Sequence, residues 1–246
     1  MSNAQPELGN GPAPLRIVDL GRMPYEQAYD AQCDHRDEIL AARSAGDGPA
    51  GVLLLVEHNP PVITISKRPT ARTHLLAGEA RLAELGVTVA ETDRGGDITY
   101  HGPGQLVVYP ILDLNRLGLN LHAYMRALEA VVIDVCRGFG VEADRDADAT
   151  GVWVGNRAGG GSKICAMGVR VRRWVTMHGL ALNVTTDLSH FGLIVPCGLQ
   201  GRPVTSLANE LGDACPTMDA VKDALVNRFR DEVERRVAGQ SATADA

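Results

Sequence analysis

Apolar residues recur at Leu121, Tyr124, Met125, Leu128, Val131, Val132, Val135 and Phe139, the spacing of a helix with one buried face. Asn120 stands where such a helix takes its cap. Met218, Val221, Leu225, Phe229 and Val233 repeat the spacing and predict a last helix from about Met218 to Val237. Tyr25 to Ala42 reads as a helix with a charged face, and Glu79–Leu85 as a short one. Elsewhere the apolar residues form runs. LRIVDLG (Leu15–Gly21), GVLLLVEH (Gly51–His58) and VITISKR (Val62–Arg68) predict strands, the last two parted by the turn signal Asn59-Pro60-Pro61. Val87–Glu91 predicts another. GVWVG (Gly151–Gly155) and the stretch Lys163–Val184 predict three more, with a reversal near Arg172–Trp174. Strands and helices mix without strict βαβ alternation, so the fold class is α+β with a mixed sheet. Residues 1–14 and 238–246 read as polar, disordered tails on one domain spanning 15–237.

One stretch breaks the pattern. RGGDITYHGPGQ (Arg94–Gln105) packs four glycines and a proline into twelve residues, and the apolar run LVVYPILDL follows at once. A glycine inside a regular element costs about 0.5–1 kcal/mol relative to alanine. The run therefore reads as backbone that turns tightly or lies close to a ligand. A glycine-rich hairpin loop is the plain alternative.

Composition narrows the setting. An apolar fraction of 45% and a charged fraction of 22% are ordinary for a globular chain, and 4% aromatics leaves the core to Val, Leu, Ile and Ala. A net charge of −6 gives no global argument for nucleic acid. No run approaches the 18 or so apolar residues of a membrane span, and the first fourteen residues lack the basic and apolar regions of a signal peptide. The five cysteines are odd in number and show no CxxC. That favours a reducing compartment, with the cytoplasm as the expectation, over a disulfide framework or a zinc ribbon.

Candidate chemistry then falls on few residues. Cys197, in IVPCGLQG, follows an apolar run and a proline and precedes a glycine, which sets a side chain on a turn after a strand. Cys136 and Cys33 fall on helices, Cys215 before the last helix, and Cys165 reads as a buried structural residue. Lys163 follows AGGGS and opens a strand. It is either a solvated rim charge or a lysine aimed at a site that the glycines let a ligand approach. The phosphate-loop pattern does not fit, because the serine precedes this lysine. No HExxH spacing supports a metal, and no G-x-S-x-G elbow supports a serine triad. Arg157, Arg170, Arg172 and Arg173 form either a solvated face or a dock for an acidic protein or a phosphate-bearing arm.

Four separated motifs, RGGDITYHGPGQLVVYPILDL, GGGSKICAMGVRV, HGLALNV and IVPCGL, stand in the order seen in lipoyl(octanoyl) transferases, and the chain resembles that family from Leu15 to about Val237. The resemblance implies a mixed sheet flanked by helices, shared with biotin and lipoate protein ligases, with a small C-terminal subdomain. It implies transfer of an octanoyl group from acyl carrier protein to a specific lysine of lipoyl domains of 2-oxoacid dehydrogenases and of the glycine-cleavage H protein. The donor carries the acyl group on phosphopantetheine; no other cofactor, metal, nucleic acid or membrane is implied. By position, Cys197 matches the acyl-thioester nucleophile and Lys163 the lysine that lowers its pKa. Arg94, Gly95, Gly96, Asp97, Ile98, Thr99, Tyr100 and His101 match one substrate-binding segment. Ala166, Met167 and Gly168 match a second, and Gly179, Leu180 and Ala181 a third. Their small residues are expected to line a narrow acyl tunnel, with Tyr100 and His101 shaping the pocket and Asp97 and Ile98 contributing backbone. Two rival readings are an ATP-dependent ligase on the same fold and a non-catalytic acyl- or lipoyl-domain-binding module.

Overall fold

The computed structural model describes residues 14–45, 48–155, 161–195 and 202–244. Seven strands form one sheet in the order β1-β2-β6-β10-β9-β8-β7: β1 (Leu15–Met23), β2 (Gly51–His58), β6 (Gln105–Leu112), β10 (Val175–Asn183), β9 (Ser162–Arg172), β8 (Val152–Val154) and β7 (Ala143–Arg145). Only β1 and β2 run parallel, joined over α1 (Tyr25–Ala45). A second sheet has β3 (Val62–Ser66) between β4 (Thr88–Thr92) and β5 (Ile98–His101), with the short α2 (Glu79–Glu84) leading into β4. Both sheets are mixed, as the sequence predicts.

Strand alternation decides what covers each face of the large sheet. Leu53, Leu55, Val108, Leu180 and Leu182 face α3 (Leu121–Gly138) and α5 (Met218–Ala244) in the main core. Val52, Leu54, Val107, Tyr109 and Ala181 face the other way, toward Ala28 and Ile39 of α1. Asn120 caps α3, its side-chain oxygen accepting from Ala123 N at 2.8 Å. The C-terminal part is small, comprising α4 (Leu207–Leu211) and α5. Its apolar face (Val221, Leu225, Phe229, Val233) enters the main core rather than forming one of its own. Residues 238–244, expected to belong to a disordered tail, continue α5. No helix among the described residues is long and apolar enough to cross a membrane.

The glycine-rich run is not one loop. Ile98–His101 is a buried strand, β5, paired antiparallel with β3. Its four residues are β-branched, aromatic or imidazole side chains that suit a pleated surface, so strand pairing wins between the two glycine clusters. Alternation sends Ile98 and Tyr100 into a small core with Ile63 and Phe191. Thr99 and His101 point to the opposite face.

Candidate active site

A narrow, partly open cavity lies between the small sheet and the α1 face of the large one. Its walls gather the three predicted segments. Arg94, Gly96, Thr99 and His101 come from the first. Ala166, Met167 and Gly168 come from β9, and Gly179, Leu180 and Ala181 from β10. The other residues of the first segment do not line it. Gly95 joins the segment to β9 through its N–H, which donates to Val169 O at 2.9 Å. Asp97 is buried with a carboxylate oxygen 2.9 Å from His74 Nδ1. Ile98 sits in the small core, and so does Tyr100, whose hydroxyl lies 2.8 Å from His190 Nδ1. The expectation that Tyr100 shapes the pocket is therefore corrected: strand alternation turns it away.

Close backbone approach explains the small wall residues. Gly168 and Gly179 are cross-strand partners. A Cβ on Gly179 would stand 2.5 Å from Pro110 Cδ and nearer still to Val108 O. A Cβ on Gly168 would stand 2.7 Å from Gly95 O. Pro110 lies inside β6 without breaking the sheet, because the β6–β10 ladder stops at Val108–Leu180. Thr176 Oγ1 closes the gap, donating to Pro110 O at 2.6 Å and accepting from Leu112 N at 2.8 Å.

Lys163 lies beyond one end of the cavity, three residues before Ala166, and does not line it. A register shift between Val152 and Trp153 leaves Ile164 as the extra residue of a bulge. Ile164 and Cys165 then both enter the main core, and Lys163 falls out of phase with Cys165, its ammonium 4.7 Å over the Trp153 ring. Re-aiming a side chain is a common use of a bulge. Gly151 leaves room: a Cβ there would stand 2.6 Å from Cys165 O and 3.5 Å from Lys163 Cε. The chain returns from the segment that holds Cys197 at Arg202, whose guanidinium stacks 3.7 Å over the same Trp153 ring. Lys163 N donates to Pro203 O, and Thr205 N to Lys163 O, both at 2.9 Å. Cys197 lies outside the described residues, as does Arg157.

A neutral hydrogen-bond chain connects this end to the cavity. Asn183 Nδ2 donates to Thr205 O at 2.9 Å. Gln105 Nε2 donates to Asn183 Oδ1 at 2.9 Å and to Tyr100 O at 3.3 Å. Gln105 Oε1 is thus the acceptor 2.7 Å from His101 Nδ1. His101 therefore carries its proton on Nδ1 and keeps Nε2 as an acceptor. Burial, then the nearby His58, hold its pKa well below the ordinary value. His58 is alike: Nδ1 faces Met23 O at 3.3 Å, Nε2 faces the Tyr109 hydroxyl at 2.7 Å, and burial lowers its pKa to about 4.

The opposite end is ionic. Asp93 meets His178 Nε2 at 2.9 Å and the Tyr29 hydroxyl at 3.1 Å, and pairs with Arg170. The His178 bond is the largest influence holding the Asp93 carboxyl down at about 2. Burial lowers His178 in turn. Tyr25, Thr64, Val107, Tyr109 and His178 also line the cavity and were missed by sequence reasoning. The signal for His178 was at hand, since it opens the HGLALNV motif. Arg172, Arg173 and the half-exposed Trp174 form the tip of the β9–β10 hairpin. Arg172 lies nine residues along the strand from Lys163, about 30 Å at strand rise. The other cysteines stay structural in setting: Cys165 and Cys136 are buried, and burial raises both thiols, Cys136 to about 12.

Comparison with known proteins places the chain. Residues 29–230 match the family model described as the lipoyl protein ligase A/B catalytic domain. An octanoyltransferase of Chloroflexus aurantiacus is 49% identical over 213 residues, 86% of this chain and 91% of that one. A mitochondrial octanoyl-[acyl-carrier-protein]:protein N-octanoyltransferase of Xenopus tropicalis is 46% identical, over 89% of this chain and 87% of that one. Among solved structures, the bi-partite lipoate protein ligase of Thermoplasma acidophilum shares the fold at a TM-score of 0.64 and 19% identity, covering 89% of this chain and 83% of that one. The biotin protein ligase of Aquifex aeolicus does so at 0.52 and 11%, covering 89% and 71%. The chain belongs to the lipoyl protein ligase A/B catalytic-domain family and, within it, to the octanoyltransferases, and it is an acyltransferase.

Proposed function

We propose that the protein takes an octanoyl group from the phosphopantetheine thioester of acyl carrier protein onto Cys197. It then passes the group to a lysine of lipoyl domains of 2-oxoacid dehydrogenases and of the glycine-cleavage H protein. The observation that supports this most is the apolar cavity walled by Gly168, Gly179, Ala166 and Ala181, with Lys163 just beyond one end of it. An alkyl chain buried there gains up to ~0.8 kcal/mol per methylene. Small walls leave it the room, and Val107 and Tyr109, on the same face of the sheet, supply contact.

A thiolate attacking a thioester exchanges one thioester for another, so the acyl group stays activated. Free cysteine titrates at ~8.5 and lysine at ~10.4, so Cys197 needs help to ionise near neutral pH. A neighbouring ammonium from Lys163 favours the thiolate. The carrier's thiolate leaves by taking a proton from the Lys163 ammonium, so Lys163 becomes neutral. The incoming acceptor lysine must then lose a proton, which the neutral Lys163 receives, and the Cys197 thiolate leaves beside an ammonium again. Backbone N–H groups hold the oxyanion of each tetrahedral intermediate. No cofactor beyond the donor's own arm enters.

The test is transfer without ATP. Octanoyl carrier protein, the enzyme and an apo lipoyl domain should give octanoylated domain in buffer free of nucleotide. Transfer that appears only when octanoate and ATP are supplied would make the protein a ligase, and no transfer under either condition would favour a binding module.

A further inference from the structure

We propose that His178, clasped to Asp93, is the end wall that sets how long an acyl chain the cavity accepts. The inference rests on the transferase reading above. Rows of the large sheet run away from Lys163 in order: Gln105–Asn183, then Val107–Ala181–Ala166, then Tyr109 beside Gly179–Gly168. The next inward position on β9 is Arg170, and it does not line the cavity. It pairs with Asp93 instead, which also takes the His178 ring and the Tyr29 hydroxyl. Three elements, α1, β9 and β10, thus close on one carboxylate from the turn after β4.

His178 is held in an uncommon backbone state to do this. Its φ is +57°, a left-handed conformation that favours glycine and asparagine and strains other residues. Its N–H is fixed by Gln32 Oε1 at 2.8 Å. The left-handed turn coincides with the place where β10 leaves β6, and the ring lines the cavity. Space exists behind the wall. Asp93 and Tyr29 of the clasp line an open groove with Lys67, Glu91 and Thr92, and Tyr25 lines both that groove and the cavity. Removing the wall therefore extends the cavity toward that groove.

The test uses the full chain and a series of acyl-pantetheine thioesters from octanoyl to hexadecanoyl, with acylation followed by intact mass. His178→Gly removes the ring and suits the left-handed backbone. It should raise the ratio of dodecanoyl to octanoyl acylation rates at least tenfold. Asp93→Asn, which loosens the clasp and keeps its shape, should raise the same ratio about threefold. A clasp that only stabilises the fold would lower all rates together. Variants that melt cooperatively and keep the wild-type ratio overturn the proposal. Should His178→Gly fail to fold, the Asp93→Asn ratio decides. A wild-type protein acylated by none of the thioesters would overturn the transferase reading, and this inference with it; a wild-type protein that is acylated while both variants keep its ratio would overturn the wall alone.

Discussion

The two ends of the cavity are built from opposite chemistry. Near Lys163, the chain Thr205–Asn183–Gln105–His101 is neutral throughout, and each partner fixes the orientation of the next. At the other end, the Asp93 carboxylate and the Arg170 guanidinium use charge, and His178 holds the same carboxylate by a hydrogen bond. A neutral chain positions groups without adding a field that would oppose ionisation of a thiol. An ionic clasp, its carboxylate tied by three partners, resists opening. The difference suits a site that reacts at one end and measures length at the other.

That contrast can be broken from either side. The largest effect is expected at the reacting end. Lys163→Ala should slow acylation by octanoyl carrier protein by about 10²–10⁴-fold in rapid-quench measurements, and leave the chain-length ratio where it was. A change in that ratio would mean the two ends are not separate.

Between the ends lies His58, with its folded pKa lowered from 6.5 to about 4. A depressed folded pKa means that the unfolded chain binds the proton first. Stability is then full above about 6.5 and falls as pH drops toward 4, by about 3 kcal/mol for a shift of this size. Buried, neutral His101 acts in the same direction. Urea midpoints at pH 7 and pH 4.5 should differ less in His58→Gln than in the wild type. Equal differences would show that His58 is not buried neutral.

Gly179→Ala probes the wall common to both ends. The added carbon meets Pro110 and the Val108 carbonyl, so about 1–3 kcal/mol of strain is expected. A Tm lower by several degrees would follow, and an unchanged Tm would contradict the close approach. The smallest effect belongs to the far end. Tyr29→Phe removes one hydrogen bond to Asp93 and should cost about 1 kcal/mol by denaturant midpoint. A variant as stable as wild type would reduce the clasp to His178 and Arg170.

Much of this was legible in the chain. The spacing from Leu121 and the cap at Asn120 specified α3, because a solvent-edged helix buries one face and its period shows. The long β9–β10 hairpin announced itself by apolar runs and a reversal at Arg172–Trp174, where both Arg173 and Trp174 have positive φ. The glycine run was half legible. Its glycines signalled close approach, but Ile98–His101 is too short to display a period, so β5 and the turning-away of Tyr100 emerge only with β3 beside it. The bulge at Ile164 and the left-handed His178 depend on pairing partners far along the chain, and no local pattern encodes them. Asp93 had no signal at all; its role arises where β9, β10 and α1 converge.

The central claim is that the acyl group rests on Cys197 between donor and acceptor. The most direct measurement is the intact mass of the protein after brief exposure to octanoyl carrier protein in the absence of ATP. One octanoyl adduct, removed by neutral hydroxylamine and absent from Cys197→Ser, is the expected result. A wild-type protein that transfers octanoyl groups to a lipoyl domain with no such adduct, or a Cys197→Ser variant that still carries a hydroxylamine-sensitive one, would contradict the account.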